Sequence, residues 1–154
     1  MLTKPDWLKE VFPWEQKSVV VNGHNMAYVD EGGPGARPVL LLHGNPTWAL
    51  LYRFFIPPLL EAGYRVIAPD WIGSGYSDHP RIDARFSLAH HIADLVALMD
   101  QLKLRGFVIV GQDWGGPQGV GAASGTDTGD KVVSLQQRAN LCMLLLGGRT
   151  RGPD

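Results

Sequence analysis

The chain has 154 residues, 45% of them hydrophobic and 19% charged, with a formal net charge of −1. That length and composition suit one globular domain with a sizeable core. Near-neutrality argues against nucleic acid and anionic membrane as the main partners, because both demand a concentrated basic surface.

Residues 18–21 (SVVV) and 25–29 (NMAYV) flank Asn22-Gly23, which predicts a hairpin whose two turn positions take positive φ. GGPGARP at 32–38 reads as a loop, and VLLLHG at 39–44 as a strand buried on both faces of a parallel sheet. A helix is expected over 50–62, kinked by Pro57-Pro58. RVIAPD at 65–70 is a second buried strand, followed by the loop WIGSGYSDHP. Ser87 is placed to cap the next helix. Behind it Leu88, Ile92, Leu95, Val96, Met99 and Leu102 recur at helical spacing and predict its apolar face. FVIVG at 107–111 is a third buried strand. A hairpin followed by alternating strands and helices predicts an α/β fold with a parallel sheet. In such folds the chemistry sits at the carboxyl ends of the strands. His43-Gly44-Asn45, Asp70 and Gln112-Asp113-Trp114 all fall at such ends.

The stretch GQDWGG at 111–116 joins the third strand to a helix. A Gly-x-nucleophile-x-Gly turn there is the nucleophile elbow of α/β-hydrolases, with Asp113 in the place usually held by serine. HGNPTW (43–48), LYR (51–53), RVIAPDWIGSGYSD (65–78) and GQDWGG together resemble the haloalkane dehalogenases of the α/β-hydrolase superfamily, over residues 15–118. The resemblance implies an incomplete α/β-hydrolase sheet, an N-terminal hairpin and then parallel strands with helices, lacking the cap and the C-terminal strands. It implies that Asp113 is the nucleophile. It also implies that Asn45 and Trp114 donate side-chain N–H groups to the departing halide, while their backbone N–H groups form the oxyanion hole. The implied substrate is a small apolar halogenated molecule, with halide ion as a ligand and no cofactor or metal.

The chemistry explains the aspartate. Displacement of halide by serine would leave an ether, which no ordinary active-site base hydrolyses, whereas a carboxylate leaves an ester whose carbonyl water can attack. A free carboxylate is ionised at neutral pH and needs no activating base. The first step therefore needs a positioned carboxylate, a dry pocket and donors aimed at the developing halide. The second step needs a base for water, normally histidine. In α/β-hydrolases the order is nucleophile, acid, histidine. Here His24, His43, His79, His90 and His91 all precede Asp113, and the acids after the elbow, Asp127, Asp130 and Asp154, match no family context. The general base and relay acid are thus expected to be missing, and turnover incomplete.

Two segments are expected: 1–118 as the N-terminal part of an α/β-hydrolase domain and 119–154 as a divergent, weakly ordered tail. In the tail Gly119, Gly121, Gly125 and Gly129 disfavour a helix. Residues 132–146 (VVSLQQRANLCMLLL) suit either an amphipathic helix or, at their end, a strand. A frameshift or premature junction in a longer enzyme is one origin for such a tail, and a short relative is the other. Without later strands the elbow strand would form an exposed apolar edge open to self-association.

Rival readings are an epoxide- or β-lactone-acting relative of the same fold, and a non-catalytic fragment. The bland readings make His43, Asp70 and the GSGYS loop architectural, Trp7 and Trp14 packing residues, and His90 and His91 solvated or satisfied. The lone Cys142 excludes an internal disulfide and fits a reducing compartment. No leader-type apolar core stands in the first residues, and no apolar run nears the roughly 20 residues of a spanning helix. A cytoplasmic location follows as the expectation.

Overall fold

The computed structural model describes residues 4–81 and 86–124 and the strands 131–135 and 143–146. Helix α1 (Asp6–Val11) leads into the hairpin β1 (Lys17–Val21) and β2 (His24–Glu31). Asn22 and Gly23 both take positive φ, 46° and 84°, as the Asn-Gly signal requires. Then follow β3 (Pro38–Leu42), a 3₁₀ turn (Ala49–Tyr52), α2 (Ile56–Glu61), β4 (Arg65–Pro69), α3 (Leu88–Gln101), β5 (Val108–Gln112), α4 (Gly115–Ala123), β6 (Lys131–Leu135) and β7 (Met143–Leu146). The sheet order is β1-β2-β4-β3-β5-β6-β7. Strands β4, β3, β5 and β6 run parallel, while the β1–β2, β2–β4 and β6–β7 pairings are antiparallel.

All five residues of β3 are buried, because alternate side chains serve two cores. Leu40 and Leu42 pack with Ile67, Ile109 and the α3 residues Leu95, Leu98 and Met99 on one face. Val39 and Leu41 pack with Val66, Ala68, Tyr52, Ile56 and Phe12 on the other. Such two-sided burial is what the unbroken apolar runs of β3 and β4 encode.

Several expectations are corrected. The predicted helix over 50–62 is two pieces, and Pro57 and Pro58 stand in the first turn of α2, where a missing N–H breaks no internal bond. In α3, Ser87 accepts from the His90 N–H as expected, but the buried face comprises Asp94, Leu95, Leu98 and Met99, whereas Leu88 and Val96 are exposed. Asp94 is buried because its carboxylate receives the Asn22 side-chain amide at 2.8 Å, joining α3 to the hairpin turn. Trp14 packs edge-on against Phe12, but Trp7 is exposed.

Gly119 and Gly121 do not stop helix α4. A Cβ on Gly119 would sit 2.7 Å from the Ile109 side chain, so its absence lets α4 press onto β5. Residues 131–135 and 143–146 are strands, which excludes one helix over 132–146 and agrees with the strand reading of its end. Strand β6 pairs with β5 from Val108↔Lys131 to Gln112↔Leu135. The elbow strand is therefore internal, and the sheet edges are β1 and β7. Asp127, Asp130, Asp154 and Cys142 lie outside the described residues.

Candidate active site

The turn between β5 and α4 places Asp113 beyond the carboxyl ends of the parallel strands. Asp113 has φ 55°, a left-handed conformation uncommon for a residue with a side chain. Local strain of that kind is concentrated at functional turns. Gly115 permits the sharp exit, because a Cβ there would strike the Leu42 carbonyl of β3. The start of α4 thus abuts the end of β3, which carries the loop His43–Thr47. Across this contact the Asn45 backbone N–H donates to Asp113 Oδ1 at 3.2 Å.

That loop is held from behind. Thr47 Oγ1 donates to the Gly44 carbonyl at 2.7 Å. The buried Tyr52 hydroxyl lies 2.8 Å from the Leu42 carbonyl and 3.3 Å from that of Val110, tying β3 to β5 below the site. Burial pushes the Tyr52 phenol well above its usual range, which keeps it a hydroxyl donor. Asp70 is fully buried at the end of β4. Its two oxygens accept from Ala49 N at 2.8 Å, Tyr76 N at 2.9 Å and Gln16 Nε2 at 3.0 Å. Loss of solvent raises its pKa to about 6 against the pull of those bonds. These contacts all lead to backbone or to Gln16, so Asp70 is architectural, as the bland reading has it.

His43 is likewise committed. Its Nε2 accepts the Trp71 backbone N–H at 3.1 Å, so the proton is on Nδ1, which donates to the Gly44 carbonyl at 2.9 Å. Burial lowers its pKa to about 4, the Gly44 bond opposing and the nearby His91 adding to the shift. A neutral ring with both nitrogens engaged is no base for a water.

Beside the elbow lies a cavity of about 350 Å³ whose wall includes Asn45, Ile72, Phe86, Leu88, Trp114 and Gln118. Asn45 and Trp114, drawn from two different strand ends, therefore face one space. Among the described residues neither the Asn45 amide nor the Trp114 indole donates to a protein acceptor, and Trp114 is 53% exposed. Asp113 is exposed and bonded to Asn45 without itself lining the wall. The other predicted residues are dispersed: His24, His79 and His90 do not line the cavity, whereas His91 does, its ring 5.6 Å from that of Trp71. Sequence reasoning missed the inward placement of His91 and Gln118 and the strand tie of Tyr52. For Gln118 a signal existed: it follows Trp114 by four residues, one turn along the same helix face. Among the described residues no cluster of three or more His, Cys, Asp or Glu is arranged for a metal ion.

Comparison with known proteins agrees with this fold. The model of the α/β hydrolase fold family matches residues 37–135. A haloalkane dehalogenase of Mycobacterium marinum is 42% identical over 110 residues, which are 71% of this chain and 36% of that protein. One of Psychrobacter cryohalolentis is 48% identical over 89 residues, 58% of this chain and 29% of that protein. Among solved structures, the tetrameric haloalkane dehalogenase DpaA of Paraglaciecola agarilytica NO2 superposes with a TM-score of 0.76 at 37% identity, covering 85% of this chain and 47% of its own. Epoxide hydrolase A of Mycobacterium thermoresistibile gives 0.66 at 35% identity, covering 71% of this chain and 34% of its own. The chain thus spans 29–36% of the length of these two curated relatives. Since the family match runs from the threshold of β3, across the elbow, to the last residue of β6, the chain belongs to the α/β-hydrolase fold family.

Proposed function

We propose that this chain carries the nucleophilic half of a hydrolase of the haloalkane dehalogenase type. Asp113 attacks an alkyl carbon, the carbon–oxygen bond of an ester forms as the carbon–halogen bond breaks, and the halide departs with the bonding pair. The Asn45 amide and the Trp114 indole receive that halide, and the backbone N–H of Asn45 steadies the carboxylate. The observation that carries the reading is the 3.2 Å bond from Asn45 N to Asp113 Oδ1, made beside a cavity that Asn45 and Trp114 both line. The similarity to haloalkane dehalogenases supports the same chemistry.

The ester then persists. Every histidine precedes the elbow, and His43, the one nearest to it in the loop, has both ring nitrogens engaged. In this reading residues 1–118 supply the site, 119–154 a divergent extension, and the protein works in the cytoplasm without cofactor or metal. Self-association through the outer edge of β7 belongs to the same proposal.

Intact-mass spectrometry after incubation with a terminal bromoalkane tests it. One alkyl adduct per chain, absent from Asp113→Asn, is the expected result. Halide released beyond one equivalent would overturn the claim that the base is missing. Neither adduct nor halide, from protein of poor solubility, would leave the non-catalytic fragment. The likeness to an epoxide hydrolase favours a second reading, in which the same carboxylate opens a strained oxygen ring. An adduct of an epoxide's full mass, without quenching of Trp114 fluorescence by chloride or bromide, would select it.

A further inference from the structure

Asp70 is fully buried, and the bonds its side-chain oxygens make run to neutral N–H groups. A buried carboxylate without a counter-charge is costly. Among the described residues the cation that acts on it is Lys4. The lysine precedes α1, and the chain beyond α1 returns to receive it. Its Nζ donates to the Trp14 carbonyl at 2.6 Å and to the Phe12 carbonyl at 3.0 Å. The ammonium also lies 4.7 Å from the centre of the Phe12 ring, whose face attracts a cation. Partial burial lowers the Lys4 pKa, and the Asp70 carboxylate opposes that shift. Asp70 in turn joins two loops beside the cavity. Its Oδ1 accepts from Ala49 N, just beyond the loop that carries Asn45. Its Oδ2 accepts from Tyr76 N, in the loop that brings Gly73 and Ser74 to the cavity wall. That second loop is wrapped closely on the carboxylate, since a Cβ on Gly75 would strike Oδ2. A proton on either oxygen would confront an N–H donor, so both loops are held at full strength only by the ionised group. The arm that seats Lys4 also reaches the loops directly: the Trp48 ring lies 5.2 Å from that of Phe12 and 5.5 Å from that of Tyr76.

We propose that Lys4 is a positioning residue: its ammonium is the counter-charge of the buried Asp70 carboxylate, and through Asp70 it fixes the loops that hold Asn45 and Ser74 at the cavity. Its bearing on catalysis rests on the dehalogenase-type reading, in which Asn45 receives the halide. Its bearing on the loops does not. The Tyr76 phenol, which also feels Asp70, is raised by burial and by that carboxylate, and the His43 ring titrates at about 4. Neither changes charge near neutral pH, so a change seen there at the two loops reports Asp70.

The test follows the backbone amides of Ala49 and Tyr76 by NMR from about pH 5 to about pH 8, a range that brackets the Asp70 titration. In the native chain both should inflect at about pH 6, and in Asp70→Asn the inflection should vanish. In Lys4→Met, which keeps an unbranched chain but no charge, the inflection should move to higher pH. Adduct formation from a terminal bromoalkane, timed by intact mass, should be roughly three- to tenfold slower in Lys4→Met than in the native chain near neutral pH. The loss should be recovered as pH rises and Asp70 ionises, and Lys4→Met should add no further loss to Asp70→Asn. Lys4→Gln, which can still donate to a carbonyl, should titrate as Lys4→Met does. An inflection at the same pH in native and Lys4→Met protein overturns the proposal. So does a rate lowered equally at every pH, or an added loss in the Asp70→Asn background, since a lysine that merely ties down the arm would give both. So does unfolding of both Lys4 variants that Asp70→Asn fails to relieve. The amide titration needs no substrate. If it moves as expected while bromoalkane leaves no adduct on the native chain, the dehalogenase reading fails and the role of Lys4 stands. If adducts form and the inflection stays in place, the reverse holds.

Discussion

His43 and Asp70 sit within one layer of the same site, and burial moves their protons in opposite senses. The His43 imidazole is held down to about 4, below its ordinary 6.5, because desolvation disfavours the cation. Its contribution to stability is present above pH 6.5 and is lost as pH falls through about 4. The Asp70 carboxyl is raised to about 6 from 3.8, again by desolvation, so its contribution is present below 3.8 and lost as pH rises through about 6. Each change runs to at most about 1.4 kcal/mol per pH unit. Between pH 4 and 6 the two oppose each other, and the native chain should show a nearly level urea midpoint. In Asp70→Asn only the histidine remains, so the midpoint, lower at every pH, should climb as pH rises over that interval. A second residue-scale expectation concerns the halide: Trp114→Phe keeps the ring but removes the N–H, and should slow adduct formation on the order of 100-fold in timed mass spectra. The architectural roles of His43 and Asp70 were legible in the motifs that contain them. The places of Gln118 and His91 on the cavity wall were not, because a motif names neighbours along the chain, whereas a cavity wall collects residues from several elements.

Helices and strands carried a stronger signal than their faces did. Strands β3, β4 and β5 announce themselves as unbroken apolar runs, and Asn22-Gly23 announces its hairpin, since each depends on local chemistry. The face of α3 was misread because an apolar stripe was sought, and a stripe cannot reveal that Asp94 goes inside to meet Asn22 while Val96 stays out. The glycines of α4 were misread for a related reason: a helix propensity counts their cost in isolation, but not the close approach to Ile109 that Gly119 allows and the one to Ile92 of α3 that Gly121 allows. Tyr52 shows how one element stabilises another. Its hydroxyl reaches carbonyls of both β3 and β5. Tyr52→Phe should therefore lower unfolding stability by about 1–2 kcal/mol and loosen the register between the two halves of the site. Denaturant unfolding measures the first effect, and slower adduct formation measures the second.

At the scale of the molecule, the sheet is extended by β6 and β7, so β5 is shielded on both sides. The sequence pattern suggested an unprotected elbow strand because the pairing partner is remote and weakly patterned. Among the described residues the outer edge on this side is β7, whose residues Met143–Leu146 are all apolar. Such an edge invites a second strand. Sedimentation should show a mass above that of the monomer which falls on dilution, and Leu145→Pro, unable to accept a strand beside it, should sediment as monomer.

The Asn22–Asp94 bond bears on the lifetime of the molecule. Asn-Gly is the dipeptide most open to spontaneous conversion of its amide to an acid, because the glycine nitrogen meets little obstruction in attacking the side-chain carbonyl. Here the amide is gripped at 2.8 Å by a carboxylate, which restrains that attack. If conversion does occur, Asn22 becomes an anion facing the buried Asp94, and the helix that anchored the hairpin turn begins to repel it. One slow chemical event, far from the elbow, would thus turn a clasp into a spring, and the chain would age from its hairpin inward.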